Sequence, residues 1–365
     1  MEQNKRTCLY ERHVDAGALI SPFAGFDMPI QYEGIAEEHK AVRTDCGVFD
    51  VSHMGEVNIS GPDAQRFVNY IFTNDVSAAV DGQVLYGMIL NRQGGTVDDL
   101  LVYRRDENNY FLVINASNIE KDVAWIESNA EGFDVEINNL SDALAEIAVQ
   151  GPESETVLKE VLGINCEDLT FYTFKEELLD GAHILVSRTG YTGEDGFEIY
   201  AEPEIIVGMW DALMESERCA PCGLGCRDTL RFEVGLPLYG DELDENITPV
   251  EAGLSMFVKM DKPEFIGREV VVAQKAEGPT RKCVGLEVLD RAIPRHGYEV
   301  LDKEGNVVGA ITTGYRGLSV DKSIAMAMVK AECAAMGTEL QVQIRKKRFP
   351  AVVTSKKFYK KSYKK

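Results

Sequence analysis

Residues 85–116 read LYGMILNRQGGTVDDLLVYRRDENNYFLVINA, and no other stretch restricts the fold as much. Three short apolar runs, 85–90, 96–103 and 110–116, are separated by the turn clusters Asn91-Arg92-Gln93-Gly94-Gly95 and Asp106-Glu107-Asn108-Asn109. Apolar runs of this length, bounded by Gly and Asn, predict three successive strands. Two aspartates, Asp98 and Asp99, interrupt the middle run, where Asp is a poor strand former. Side chains alternate along a strand, so Asp99 shares a face with Val97, Leu101 and Tyr103, and Asp98 with Leu100 and Val102. Both faces are apolar. At least one carboxylate is therefore expected in a core or a pocket, where an unpaired carboxylate is costly. It is either paired to hold the fold or kept for chemistry, and periodicity does not choose between the two residues.

The same kind of reading extends along the chain. Residues 34–45 have helical spacing, with Ile35, His39 and Val42 on one stripe; His39 there reads as a satisfied core or boundary histidine. Residues 48–55 read as one strand, with His53 a candidate functional group. Gly61-Pro62-Asp63 opens a helix, and a second helix over 118–129 follows the three strands. Strand, helix, three strands and helix make an α+β layer. A matching unit begins with a strand over 144–150, after which Gly151-Pro152-Glu153 again opens a helix, here to 161. The repeated Gly-Pro pair hints at an internal duplication. A strand over 182–187, the loop TGYTGEDGFEIYA over 189–201 and helices over 205–216 and 227–234 complete it. Glycines in that loop permit close backbone approach, but no Lys-Ser/Thr follows them, so it is not a phosphate loop. Its acids Glu194, Asp195 and Glu198 suit amine-rich groups. Arg227 stands at a helix start, where a cation opposes the dipole and needs either an ion pair or a ligand carboxylate. From Arg281 six short strands, beginning 283–288 and ending 349–353, predict a small antiparallel barrel.

The chain has 365 residues, which predicts more than one core. The expected fold class is α+β with three domains. Residues 1–52 with 145–260 form one α+β domain and 53–144 a second, both with antiparallel sheets. Residues 261–280 are a linker, and 281–365 a C-terminal β-barrel. No run of 18 apolar residues occurs, so no membrane span is expected. MEQNKRTCLYERHV lacks the apolar core of a signal peptide, which makes the cytoplasm the expected compartment. Net charge is −22, and residues 341–365 hold ten Lys or Arg and no acid, so the rest is ten charges more negative than the total. So acidic a body argues against nucleic acid; the basic tail either steers an acidic partner or guards a solvated edge. Eight cysteines without a secretory signal are expected as free thiols. Cys219, Cys222 and Cys226 in CAPCGLGC have metal-like spacing but lack further ligands nearby in sequence, and no metal is expected.

FDVSHMGE (49–56), GGTVDDLLVY (94–103), SRTGYTGEDGFE (187–198), GLGCRDTLRFE (223–233) and LYGDELDENITPVEAGL (238–254) carry a resemblance. With these motifs in order, the chain resembles the glycine cleavage T-protein family of tetrahydrofolate-dependent aminomethyltransferases. The resemblance implies a three-domain cloverleaf with folate in a central channel. It also implies a partner, the lipoylated H-protein, whose aminomethyl group gives up its methylene to tetrahydrofolate with release of ammonia. It assigns Asp99 as the catalytic acid and Met54, Tyr86, Tyr103, Asn115, Tyr191, Glu198, Arg227 and Tyr359 as folate-site positions. Lys360 stands where the family has Arg, which loses a bidentate grip, and Cys226 where Ala is usual. Two other readings within the superfamily are a folate-dependent demethylating enzyme and a non-catalytic folate-binding protein. The first would carry a dinucleotide fingerprint and the second a Lys-Gly-Cys-Tyr motif, neither of which is in the sequence.

Overall fold

The computed structural model describes residues 4–361. Its class is α+β: two large sheets, each with helices on one face, a two-stranded sheet of Leu19–Phe23 and Phe26–Gln31, and a closed six-stranded barrel. In the first sheet the strand order is Phe174–Leu179, Ala182–Ser187, Gly196–Ala201, Ala145–Gln150, Gly47–Asp50, Ala220–Cys222. In the second it is Gln83–Leu90, Thr96–Asp106, Asn109–Ile114, Gly55–Ser60, Glu136–Asn139.

The two orders share a plan. Three sequential strands are followed by the strand that leads into a helix through Gly-Pro, Ala145–Gln150 in one sheet and Gly55–Ser60 in the other. The glycines of those pairs match as well. Gly61 has φ 132° and Gly151 φ 128°, and a Cβ would lie 2.5 Å from the Asp134 carbonyl oxygen at the first and 2.3 Å from that of Asp45 at the second. Neither site admits a side chain, which is why the pair recurs.

The barrel strands run Arg281–Val288, Glu299–Leu301, Val307–Gly317, Lys322–Lys330, Glu339–Ile344 and Lys347–Thr354. They close on one another through antiparallel pairs. The interior is aliphatic, with Leu286, Val300, Ala325 and Val342 at 0% exposure. Helices Ile35–Thr44, Ala64–Ile71, Ile119–Ser128, Pro203–Glu215 and Leu224–Glu233 lie near their expected places.

Four local expectations change. Residues 48–55 are two strands, not one: Gly47–Asp50 ends, a turn closes with Met54 N donating to the Val51 carbonyl at 2.9 Å, and Gly55–Ser60 begins in the other sheet. Polar Ser52 and His53 sit where the chain crosses between sheets. The loop over 189–201 becomes the strand Gly196–Ala201 in its second half. The helix opened by Gly151 is an α-turn, Ser154–Val157, continued by π-helix over Leu158–Leu162. Finally, the first sheet is not wholly antiparallel, because Ala220–Cys222 pairs parallel to Gly47–Asp50, reached after the helix Pro203–Glu215 as a parallel neighbour requires.

On its helix side the first sheet buries Ile147, Val149 and Ile199 against Trp210 and Leu213. The second buries Ile59, Leu100 and Val102 with Phe67 and Ile126. The opposite faces meet each other: Tyr103, Phe111 and Val113 of the second sheet pack with Phe174, Leu185 and Tyr200 of the first. Each sheet is thus covered on both sides, and the gap between them holds the polar groups described next.

Candidate functional site

The strand Thr96–Asp106 resolves its two aspartates by the face each occupies. Asp98 points to the helix side and is 0% exposed. Both its oxygens are occupied: Oδ1 accepts from Asn115 Nδ2 at 2.9 Å and Asn118 Nδ2 at 2.7 Å, and Oδ2 from the Asn115 backbone N–H at 2.9 Å. Behind it Asp122, also wholly buried, is pushed up to about 11 by burial and then by the Asp98 charge. Asp98 is a satisfied structural carboxylate. Asp99 points into the gap and is half-buried. Its Oδ2 accepts from Tyr86 OH at 2.8 Å and its Oδ1 from Asn115 Nδ2 at 3.1 Å. Burial, and then the charge of Asp98, push it up to about 7 against the pull of those two donors. A carboxyl so placed exchanges a proton near neutrality, as a general acid or base must. The strand partner of Leu101 is Tyr86, whose ring is held edge-on to Phe257 at 4.8 Å.

Across the gap the first sheet contributes Glu198, 5% exposed, with Thr189 Oγ1 donating to its Oε2 at 2.5 Å. Burial raises it, while Thr189 and Arg227 oppose the rise. Arg227, in the helix Leu224–Glu233, lies over the Tyr191 ring at 4.8 Å, and its buried Nη1 has no hydrogen-bond partner among the described residues. Tyr191 donates to the Pro237 carbonyl; burial, and the Asp99 charge against that of Arg231, raise its phenol. Met54 touches apolar clusters from both sheets. His53 is 2% exposed, packs edge-on to Phe23 at 5.7 Å, and is lowered to about 4 by burial and by Arg227, so its ring is neutral.

Tyr103 lies deeper than an exposed site wall would. It is 0% exposed, and its hydroxyl is engaged by Ser187 Oγ at 3.1 Å and Tyr200 OH at 3.0 Å. Tyr359 is elsewhere: Arg43 lies over its ring at 4.2 Å, and its N–H donates to the Glu233 carbonyl at 2.8 Å. The structure therefore joins Asp99, Tyr86 and Asn115 directly, stacks Arg227 on Tyr191 near Glu198, sets Tyr103 at the base, and gives Tyr359 a separate set of partners.

Two further acids occupy the gap that the sequence reading did not single out, Glu56 at 0% and Glu146 at 2% exposure. The signal was the one used for Asp99, an acid inside an apolar strand: Glu146 stands in AEIAVQ and Glu56 in GEVNIS.

The glycine loop has a packing explanation. A Cβ on Gly190 would lie 2.1 Å from the Gln150 amide oxygen, and one on Gly196 2.5 Å from the same side chain. Of its three acids, Glu194 pairs with Arg43 at 3.0 Å and Asp195 with Arg188, which leaves Glu198 facing the gap. His39 is satisfied by Thr229 Oγ1 at 2.9 Å and Ser319 Oγ at 2.8 Å. In the tail Lys356 Nζ donates to the Ala252 carbonyl at 2.5 Å and Phe358 packs on Phe232; Lys357 and Lys360 are exposed. All eight cysteines are free thiols. Glu38, Cys222 and Cys226 bring donor atoms within 4.8 Å of one another. The Glu38 oxygens, however, already accept the backbone N–H groups of Tyr32, Gly34 and Gly223, which makes it a loop and helix cap.

Comparison with known proteins agrees over the whole length. Residues 9–262 match the family described as GCVT N-terminal domain, and residues 281–360 match the Glycine cleavage T-protein C-terminal barrel domain. An aminomethyltransferase of Alkaliphilus oremlandii is 48% identical over 370 residues, covering 100% of both chains. One of Clostridium botulinum (strain Okra / Type B1) is 49% identical over 369 residues, again covering 100% of both. The crystal structure of glycine cleavage system aminomethyltransferase T from Bartonella henselae superposes with a TM-score of 0.94 at 35% identity, covering 99% of each chain.

Proposed function

The chain belongs to the glycine cleavage T-protein family of aminomethyltransferases, and on that premise we propose that it transfers the methylene of an aminomethyl group, carried on the dihydrolipoyl arm of H-protein, to tetrahydrofolate. Ammonia and 5,10-methylenetetrahydrofolate are the products. The observation that carries the reading is Asp99, a half-buried carboxyl poised at about 7 between two sheets and gripped by Tyr86 and Asn115.

The residues of the gap fit a folate. Among the described residues Arg227 keeps a buried N–H without a partner, a ready donor for an anionic or carbonyl group. Tyr86 and Tyr191 offer aromatic surface, and Glu198 a carboxylate for ring N–H groups. Bound there, tetrahydrofolate supplies the nitrogens that accept the one-carbon unit. The chain's own part is acid–base and electrostatic work. Ionised Asp99 accepts a proton at Oδ1 or Oδ2 and stabilises positive charge that develops beside it. Tyr86 and Asn115 hold that carboxylate in one orientation, and enclosure between the sheets excludes water and holds the reacting groups within reach. Exposed Lys357 and Lys360 at the tail suit an acidic protein partner, while Lys356 is committed to the fold.

The test is ammonia release from aminomethylated H-protein with and without added tetrahydrofolate. Release should depend on folate and collapse in Asp99→Asn; release that ignores folate would sink the assignment. Expression in the cytoplasm is part of the same proposal.

A further inference from the structure

The backbone pairing of the strand that carries Asp99 stops short of it. Thr96–Asp106 and Asn109–Ile114 pair from Leu101 opposite Val113 onward, and the same count sets Asn115 across from Asp99. Beyond that last pair, side chains take over from the ladder. The Asn115 backbone N–H donates to Asp98 Oδ2 at 2.9 Å. Its amide nitrogen donates to Asp98 Oδ1 at 2.9 Å, and to the Asp99 carbonyl and Asp99 Oδ1 at 3.1 Å each. One proton of the amide therefore goes to Asp98, and the other is shared between two oxygens of Asp99. A single side chain grips both aspartates of the pair.

The two ends of an amide are not equivalent to a carboxylate. The nitrogen only donates and the oxygen only accepts. A half-turn of the Asn115 amide would put its oxygen where the nitrogen now stands, against carboxyl oxygens of both aspartates. Asp99 alone does not forbid that turn. A carboxyl that titrates near neutrality can meet an amide oxygen with its proton as well as an N–H with a lone pair. Asp98 does forbid it. Three N–H groups converge on its two oxygens, from the Asn115 backbone, the Asn115 amide and Asn118 Nδ2 at 2.7 Å. That is the donor set of an ionised carboxylate, which has no proton to offer. An amide oxygen turned toward it would lose a charge-assisted hydrogen bond and bring two acceptors into contact.

We propose that Asp98 is a positioning residue for the transfer: it accepts one N–H of the Asn115 amide and thereby aims the other at Asp99. The chemistry of Asp99 rests on the proposed function; the aim of its donor rests on the hydrogen bonds of Asn115. Charge gives Asp98 a second hold. After burial it is the largest influence raising Asp99 to about 7, while the Asn115 donor pulls the other way and more weakly. Tyr86 of the neighbouring strand also donates to Asp99, and Tyr191 of the glycine loop lies in its field. On the helix side Asp98 faces the protonated Asp122, with Lys121 and Tyr239 in its field. The Lys121 ammonium is engaged by the Val97 carbonyl at 2.5 Å and by Tyr239 OH at 2.9 Å.

The test titrates the Asp99 carboxyl by NMR, without folate or H-protein, beside the pH profile of methylene transfer. Asp98→Asn removes the charge and frees the Asn115 amide to turn. The Asp99 midpoint should fall below the wild-type value, because the charge is the larger influence. Transfer should drop about tenfold, the worth of one hydrogen bond to a charged group. Asn115→Ala keeps the charge and removes the donor, so there the midpoint should rise. A part that merely held the fold would lower stability and move neither midpoint. If Asp98→Asn does not fold, the wild type still decides: its Asn115 side-chain amide protons should be separately resolved and slow to exchange with water. Midpoints that stay put or move in the same direction, or a freely exchanging Asn115 amide, overturn the proposal. Opposite shifts with an unmoved pH profile of transfer would instead strike down Asp99 as the catalytic group and leave its positioning by Asp98 standing.

Discussion

The barrel and the gap between the two sheets are both enclosed by strands, and they are filled in opposite ways. Inside the barrel Leu286, Val300, Ala325 and Val342 pack at 0% exposure, and on the outer face of the same strands Cys283, Ile324 and Met326 are buried with Phe232. The gap contains Glu56, Asp99, Glu146, Glu198, Tyr103 and Tyr200 on faces that strand alternation alone would have filled with aliphatic side chains. An aliphatic interior gains stability from every group it buries. A gap with buried carboxyls forgoes part of that gain, and the second sheet accepts the cost on the face that points to its partner sheet. Chemistry in this molecule lies where burial is unfavourable.

That contrast can be broken in order of expected effect. Asp99→Asn should lower methylene transfer by about 10²–10⁴-fold, the usual worth of a positioned acid or base, with circular dichroism unchanged; a variant that transfers at near wild-type rate would move the chemistry elsewhere. Leu286→Ala, in the barrel, should cost about 2–5 kcal/mol in a denaturant titration while leaving KM for folate as it was. A raised KM would mean the barrel does more than support. Tyr86→Phe takes one donor from Asp99 and should reduce transfer about tenfold. Because Tyr86 holds the Asp99 value down, the pH profile of this variant should also move upward.

The profile itself sharpens the contrast. In wild type kcat/KM should rise with pH through about 7, as Asp99 ionises. Stability runs the other way. The unfolded chain loses this proton in the ordinary carboxyl range and the folded chain keeps it to about 7, so the folded state binds more protons between those limits and loses stability as pH rises across them. Asp99→Asn should remove that slope from a series of unfolding titrations. Cys226→Ala should have the smallest effect, with transfer unchanged, because Cys226 is wholly buried in an apolar cluster with Val42, Phe49 and Leu230, where a small apolar side chain serves as well.

The sequence revealed elements more readily than faces. Turn clusters at 91–95 and 106–109 placed the three strands, and the six runs after Arg281 placed the barrel, because local spacing governs both. It left Asp98 and Asp99 equivalent for a physical reason: the strand that holds them is covered on one side by helices and on the other by the first sheet, so both faces read as apolar. The resemblance separated them, and the structure supplies the cause, with Asp98 saturated by Asn115 and Asn118 and Asp99 left half-exposed. The turn at Ser52–Met54 was illegible because a polar pair inside an apolar run marks a crossing between sheets only once both sheets are known. Glu56 and Glu146 carried the same signal as Asp99 and went unremarked, since one acid between apolar neighbours stands out less than two together. The acidic glycine loop misled in the other direction: its glycines make room for Gln150, and two of its acids are tied to arginines.

One feature of the topology bears on how the protein is made. Gly47–Asp50 and Ala145–Gln150 are hydrogen-bonded neighbours in the first sheet, and the whole second sheet, from Gly55 to Asn139, is translated between them. At ordinary ribosomal speeds the earlier strand waits on the order of ten seconds for its partner. All four of its residues are buried in the finished protein, so during that interval it is a sticky, unmatched edge on the nascent chain. The second sheet finds every one of its strand neighbours within its own segment and is complete first. Synthesis therefore delivers the wall that bears Asp99 before the wall that bears Glu198, and slowing translation just after Gln150 should favour chaperone capture of a half-built site.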